Sequence, residues 1–283
     1  MNASESEPAN DPTSGWNDCA GAWDELSPRF ERAVQSVTLK LFERLELFSG
    51  ETVVEVACGP GGLIPLLADA VSPGGRVLAG DISPEMLEAA ERRVEQTGAA
   101  GVQLAEMSID WLDIPSASAG ALVGRFAYMF ASDPAAALTE ARRVLRPGGR
   151  FATAVWDVPA RTPFGTVQQE ALVEVGLGDT PTAGSPGMFR LAEPGLIGDL
   201  VAGAGFTEVE VEQVDVNFTF ADFEDLVDWT LRFSQRVREA LRDGVEGSVD
   251  EYRKQLKAGA AAHTSPDGSI ALAGSVLVVS GRA

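Results

Sequence analysis

Residues 53–62 read Val-Val-Glu-Val-Ala-Cys-Gly-Pro-Gly-Gly, and this run constrains the fold more than any other part of the chain. Val53, Val54 and Val56 are β-branched, which suits a buried strand. Glu55 places a carboxylate among them. Gly59, Gly61 and Gly62 then allow a sharp turn and close approach of the backbone to a ligand. A helix from about Leu63 to Ala70 would point its N-terminus at that ligand. Strand, glycine turn and helix in this order open a Rossmann-like βαβ unit. An acid completes the unit: Gly75-Arg76-Val77-Leu78-Ala79-Gly80-Asp81 reads as a second strand, and Asp81 lies 81 − 61 = 20 residues after Gly61. That is the separation expected of a carboxylate that holds ribose hydroxyls. Ser83 and Pro84 supply an N-cap and an N1 residue for the next helix.

The glycine spacing narrows the ligand. A dinucleotide fingerprint needs Gly-x-Gly-x-x-Gly so that pyrophosphate sits on the helix N-terminus, and Ala57-Cys58-Gly59-Pro60-Gly61-Gly62 lacks it. Pro60 and Pro65 also remove amide donors where phosphate would bind. A ligand with ribose but no phosphate fits better. S-adenosylmethionine is one, and Glu55 could face its amino group or its sugar. The competing readings are an ordinary strand–helix turn at Gly59 and Gly61, and a surface acid at Asp81.

On these residues the chain resembles the class I S-adenosylmethionine-dependent methyltransferases, and within them the small-molecule branch that includes the quinone-biosynthesis C-methyltransferases. Glu55-Val56-Ala57-Cys58-Gly59-Pro60-Gly61 is similar to the family's first motif, with Ala57 in place of its first glycine. Asp81-Ile82-Ser83-Pro84-Glu85-Met86-Leu87 resembles the second motif and the start of its helix. Glu140 to Arg150, with Arg146-Pro147-Gly148-Gly149 at the turn, resembles the helix and turn before the fifth strand; Ala204-Gly205-Phe206 resembles the turn before the sixth. The resemblance covers roughly residues 16–220 and the last strand.

Composition sets further bounds. The chain has 283 residues, 45% hydrophobic, enough for one sizeable domain with an appended region. No apolar run is long enough to cross a bilayer, and the acidic start Met1-Asn2-Ala3-Ser4-Glu5-Ser6-Glu7 does not read as a signal peptide. Cys19 and Cys58 give no disulfide framework, so a reducing cytoplasm is the expected compartment. A net charge of −20 without a basic cluster disfavours a nucleic-acid substrate. No His, Asp or Glu cluster has metal-ligand spacing, so no metal is expected.

The order of elements reads as α/β. Strands are expected at 51–57, 76–80, 102–107, 121–127 and 151–157, with helices at 62–71, 84–97 and 134–145. The resemblance completes a doubly wound, seven-stranded sheet whose last strand, at 270–280, is antiparallel and inserts between the fifth strand and a sixth at 207–219. The expected organisation is a disordered acidic tail (1–15), N-terminal lid helices (16–50), a cofactor-binding core (51–157), a substrate-side loop, helix and sixth strand (158–220), a helical cap insertion (221–266) and the last strand (267–283).

The resemblance implies roles residue by residue. Glu55 and the backbone of Ala57, Cys58, Gly59 and Gly61 hold the methionine end; Asp81 takes the ribose hydroxyls; Ile82 and Met86 pack on adenine, unless Met86 is plain helix core. Relatives read Asp-Ala-Glu where this chain has Ser108-Ile109-Asp110, so the adenine edge falls to the Ser108 hydroxyl, the Ile109 amide or a shifted Asp110. Arg125 sits where relatives contact the methionine part, or else makes a salt bridge at the sheet edge. Relatives carry Phe-Asp where the fourth strand here starts with Ala119-Gly120. Trp23, Tyr128, Met129, Trp156, Phe164, Phe189, Trp229 and Phe233 are candidates for an apolar acceptor pocket, with core packing as the alternative. No catalytic base is identified: the one histidine, His263, lies in a polar stretch. The expected function is methyl transfer from S-adenosylmethionine to a carbon or oxygen of a small apolar, natural-product-like or quinone-like molecule. The rivals are a cyclase or rearrangement enzyme that retains the cofactor, and a non-catalytic binding protein. The oligomeric state is left open, a homodimer included.

Overall fold

The computed structural model describes residues 14–242, 244 and 247–283. The expected tail lies outside these residues except at its end, where Ser14–Asn17 forms a short helix, α1. Helices α2 (Ala20–Ala33) and α3 (Gln35–Leu45) precede the first strand. Then β1 (Thr52–Val56), α4 (Ile64–Val71), β2 (Arg76–Asp81), α5 (Pro84–Thr97) and β3 (Val102–Glu106) alternate. They are followed by β4 (Ala119–Arg125), α6 (Pro134–Val144), β5 (Leu145–Trp156) and α7 (Pro163–Glu174). Helix α8 (Leu196–Gly203) leads into β6 (Thr207–Phe220), and α9 (Phe223–Phe233), α10 (Gln235–Arg242) and α11 (Ser248–Ala260) lie between β6 and β7 (Ile270–Arg282).

The seven strands form one sheet in the order β3-β2-β1-β4-β5-β7-β6. The first five pair in parallel, and β7 runs antiparallel to both β5 and β6. Right-handed crossovers dictate where the helices go. Winding outward from β1 through β2 to β3 puts α4 and α5 on one face, and winding the opposite way from β4 to β5 puts α6 on the other. The reversal falls between β1 and β4, so their C-terminal ends open a crevice there. Strand interiors are apolar on both faces, as this layering requires: Val53, Val54, Val77, Leu122, Val123 and Val155 are all fully buried.

A buried ion pair anchors the opposite end of the sheet. Arg150 on β5 donates to both carboxylate oxygens of Glu51, at 2.6 and 2.5 Å, and to the carbonyls of Leu45, Glu46 and Gly120. Arg146 adds a second guanidinium at 2.9 Å from Glu51. A Cβ at Gly120 would lie 2.1 Å from the Glu51 Oε1. The bare glycine at the start of β4 thus makes room for an acid delivered from the approach to β1. Removing one partner of such a pair leaves a buried, uncompensated charge, a loss of about 3–5 kcal/mol. Glu51→Gln is expected to lose stability on this scale in chemical denaturation, and Gly120→Ala is expected to be destabilised as well. Wild-type midpoints for both variants would contradict this account of the sheet's base.

Candidate functional site

At the C-terminal end of β1 the backbone enters the left-handed region three times, at Ala57 (φ 52°), Gly59 (φ 53°) and Gly61 (φ 78°). A non-glycine residue held there carries roughly 1 kcal/mol of strain, at the position where the motif otherwise has glycine. Gly61 (φ 78°) is packed closely: an added Cβ would meet Ala90 of α5 at 3.2 Å. Gly59 faces open space, with nothing within 4 Å of an added Cβ. The turn therefore seats on α5 at one glycine and exposes its backbone at another.

Asp81 fixes this turn. Its Oδ2 accepts from the Gly59 amide at 2.8 Å and its Oδ1 from the Ser83 amide at 3.0 Å. Ser83 caps α5 by accepting from the Met86 amide at 3.1 Å. Burial pushes the Asp81 carboxyl above its ordinary range, opposed by the amides of Ser83, Gly59 and Ile82. Met86 is buried in a small cluster with Cys19, Ala20, Trp16 and Trp23, which ties α5 to the N-terminal helices.

Glu55 has a different environment. It is 3% exposed on β1, and its Oε2 has no hydrogen-bond partner. Burial raises its pKa from 4.5 to about 8; Arg125 opposes the shift, and Glu31 and Asp81 add to it. A carboxylate left unpaired in this way costs free energy until it is neutralised or meets a cation. It sits beside the open glycine turn, so a positively charged ligand group there would have a partner waiting. This orphaned oxygen and the open face of Gly59 fit a nucleoside that carries an amino acid.

Arg125 is already engaged. Its Nη1 donates to Glu31 at 2.7 Å and to Thr38 at 2.8 Å, which joins the end of β4 to α2 and α3. The pair lies directly over the glycine turn: a Cβ at Gly62 would meet Glu31 at 1.9 Å and Arg125 at 3.2 Å. Asp110 is engaged too, accepting from the Ser132 amide at 2.9 Å and the Ser132 hydroxyl at 2.8 Å. Ser108 accepts from the Asp110 amide at 3.2 Å, and Ser108, Ile109 and Ile82 are half-buried.

The aromatic candidates divide. Trp23, Trp156, Phe164, Trp229 and Phe233 join one continuous cluster with Phe30, Phe126 and Phe218. Phe126 stacks on Trp156 at 4.8 Å, Phe164 on Phe218 at 3.6 Å and Trp229 on Phe233 at 4.4 Å. Phe126 stands at φ 60°, a strained conformation for a bulky residue, immediately after β4. Tyr128 departs from the expectation. Its ring packs on Phe151 at 5.6 Å, and Phe151 and Trp156 are five residues apart on β5, hence on opposite faces of the sheet. The Tyr128 phenol is fully buried and pushed far above its ordinary range by desolvation. Met129 is buried in a 3-10 turn (Tyr128–Phe130) that adjoins α6, and Phe189 packs with Met188 against Gly165 of α7; neither joins the ring cluster. Phe30 joins the ring cluster from α2, where its three-to-four spacing from Trp23 and Leu26 puts it on the buried face.

Among the described residues, no group of three or more His, Cys, Asp or Glu side chains is placed to hold a metal. Likewise no described helix is long and apolar enough to cross a membrane. His263 lies in a 3-10 turn, Ala261–His263, just after α11.

A family model described as "Methyltransferase domain" matches residues 53–149, the span from β1 to the start of β5. Over that span the chain is similar to the S-adenosylmethionine-dependent methyltransferases. It is 29% identical to nocamycin O-methyltransferase from Saccharothrix syringae over 77% of this chain and 80% of that protein. It is 41% identical to a protein encoded in transposon TN4556 of Streptomyces fradiae, over 42% of this chain and only 34% of that protein's length. In fold it is similar to phosphoethanolamine N-methyltransferase 2 of Haemonchus contortus in complex with S-adenosyl-L-methionine. That match has a TM-score of 0.60 at 17% identity and covers 97% of this chain and 60% of that one.

The raised pKa of Glu55 has a defined consequence for stability. The folded state holds a proton that the unfolded state releases above about pH 4.5, so stability falls as pH rises from there and levels off above about 8. The slope is at most about 1.4 kcal/mol per pH unit. Glu55→Gln is expected to flatten this part of the stability–pH profile measured by urea denaturation. An unchanged slope would show that Glu55 is not the group titrating.

Proposed function

We propose that this methyltransferase uses Glu55 and Asp81 to hold the two ends of its cofactor and methylates a carbon or oxygen of a small, planar, largely apolar acceptor. The acceptor is of natural-product or quinone type. The observation that carries this reading is the buried, unpartnered Oε2 of Glu55 beside the open glycine turn. Arg125, the cation that opposes the rise of its pKa, is already committed to Glu31 and Thr38.

When bound, S-adenosylmethionine supplies a methyl group activated by a sulfonium. Glu55 binds the ammonium of the methionine end, and the backbone from Ala57 to Gly61 lines that end. Asp81 takes the ribose hydroxyls while it keeps the turn in place. Ile82 and Met86 pack on the adenine face, and Ser108 and the Ile109 amide serve its edge. Asp110 is left to orient the loop at Ser132. Helices α1 to α3 form the lid, and α9 to α11 cap the acceptor side. Trp23, Trp156, Phe164, Trp229 and Phe233, together with Phe30 and Phe126, hold a flat acceptor and exclude water.

The chain's chemical contribution is then positioning and desolvation. Holding a nucleophile about 3 Å from its target and in line with the breaking bond supplies a large share of such a rate. No histidine, and no phenol in its ordinary range, stands in the ring cluster. This suits acceptors that ionise easily, such as phenols, enols and quinols.

Calorimetry with S-adenosylhomocysteine tests the cofactor site. Wild-type protein is expected to bind in the micromolar range, and Asp81→Ala is expected to weaken binding by about 1–3 kcal/mol. Equal affinity would remove Asp81 from the site. Turnover with planar phenolic or quinol acceptors is expected to release S-adenosylhomocysteine stoichiometrically with product. Product formed without cofactor consumption would favour a cyclase or rearrangement enzyme instead.

A further inference from the structure

The aromatic cluster contains polar atoms that its packing leaves without partners. Trp23 Nε1, Ser27 Oγ and Thr230 Oγ1 are all buried and unpaired. Ser27 is 2% exposed and Thr230 is fully buried. Burying a hydrogen-bonding group with no partner is unfavourable, and native interiors contain few such groups. Three of them on two facing helices call for a common cause.

Their placement brings them together. Trp23 and Ser27 are four residues apart on α2, on the same face as Phe30. Thr230 and Phe233 are three apart on α9. The two helices run antiparallel, with the register fixed by three contacts: Arg29 with Asp225 at 2.6 Å, the ion pair of Glu25 with Arg232, and the ring of Trp23 on Phe233 at 3.8 Å. In this register Ser27 faces the turn of α9 that carries Thr230. The three polar groups therefore converge in the seam between lid and cap, walled by Phe30, Trp229 and Phe233.

The chemistry of the three groups defines what they would take. An indole N–H only donates, and the two hydroxyls are free to donate. The walls are aromatic, with ring geometry that suits a flat partner. We propose that Trp23, Ser27 and Thr230 form a recognition site for a hydrogen-bond-accepting oxygen on a planar acceptor, a keto or quinone oxygen in particular. This rests on the methyltransferase reading and refines its acceptor class. The three are positioning residues: they fix which way round a flat molecule lies between α2 and α9, and so which of its atoms faces the end of β4. Selectivity follows from the same unpaired groups. An acceptor of the same shape without the oxygen would leave three donors buried and unsatisfied, and sites of this kind discriminate strongly against such analogues.

The test uses 1-tetralone and tetralin, which share a bicyclic skeleton and differ in one keto oxygen, with protein saturated in S-adenosylhomocysteine. Affinities are measured by calorimetry for the wild type and for Trp23→Phe, Ser27→Ala and Thr230→Val. Each variant keeps the apolar wall and deletes one polar group. Wild type is expected to prefer the ketone, and each variant to lower that preference by roughly three- to tenfold, the range of an ordinary hydrogen bond, with tetralin affinity unchanged in Ser27→Ala and Thr230→Val. Thermal denaturation of the free variants supplies a second readout. If the hydroxyls are unpaired as described, Ser27→Ala and Thr230→Val should melt no lower than wild type, because they remove unsatisfied groups. No ketone preference in the wild type, or a preference that all three variants retain, would overturn the proposal. So would lower melting of both hydroxyl variants with the preference intact, which is the mark of a structural role. Loss of S-adenosylhomocysteine binding by the wild type would instead strike the cofactor reading itself.

Discussion

The reversal of winding between β1 and β4 is the constraint on which the rest of the molecule depends. Right-handed crossovers leave no helix over the C-terminal ends of these two strands, so a crevice opens there whatever the side chains are. The sequence then has to fill its floor. Asp81 does this from the neighbouring strand by accepting from the amides of Gly59 and Ser83 at once, so the turn after β1 and the start of α5 are held by one carboxylate. With the turn fixed, Glu55 is left facing it with an unpaired oxygen. The free molecule carries that desolvation as stored cost, and a cationic ligand group is the natural means of releasing it.

Above the crevice, α2 is held by contacts of graded strength. Phe30 is buried and Trp23 half-buried in the aromatic cluster, whereas the ion pairs that join α2 to α9 are partly exposed and individually weak. The Arg125–Glu31 pair crosses the glycine turn, so anything that enters there must share Arg125 with Glu31 or displace it. The rings touch one another at stacking distance, so the proposed flat acceptor would enter only if α2 and α9 part. That motion would break weak surface pairs first. It would also bring a ligand to the polar atoms of Trp23, Ser27 and Thr230, which the closed packing leaves unpaired.

Much of this was legible in the sequence because the core elements carry local signals that tertiary packing does not override. The glycine turn, the acid at the end of β2, the Ser83-Pro84 cap and the apolar strands each specify their element alone, and helix α5 runs from Pro84 to Thr97 as its spacing implies. The acceptor side was less legible for a physical reason. Aromatic residues look alike in sequence, and only strand parity separates Trp156, in the cluster, from Phe151, which takes Tyr128 to the opposite face. Phe189 and Met129 likewise match a pocket by residue type, although both pack outside the ring cluster. The strand-4 departure at Ala119-Gly120 reads from sequence as a lost acid; in three dimensions Glu51 reaches over Gly120 and occupies that region, a contact between residues far apart in the chain. Arg125 and Asp110 show the same limit, since only the fold reveals that Glu31 and Ser132 already hold them.

On the proposed function, a neutral, buried Glu55 ionises when the cofactor's ammonium arrives. Proton release on binding measures this directly. Calorimetric titration of S-adenosylhomocysteine at about pH 7, in two buffers of different ionisation enthalpy, gives the number of protons exchanged. With a Glu55 pKa of about 8, the account expects the wild type to release close to one proton per ligand bound and Glu55→Gln to release almost none. Binding by the wild type with no proton release, or the same release from both proteins, would contradict it.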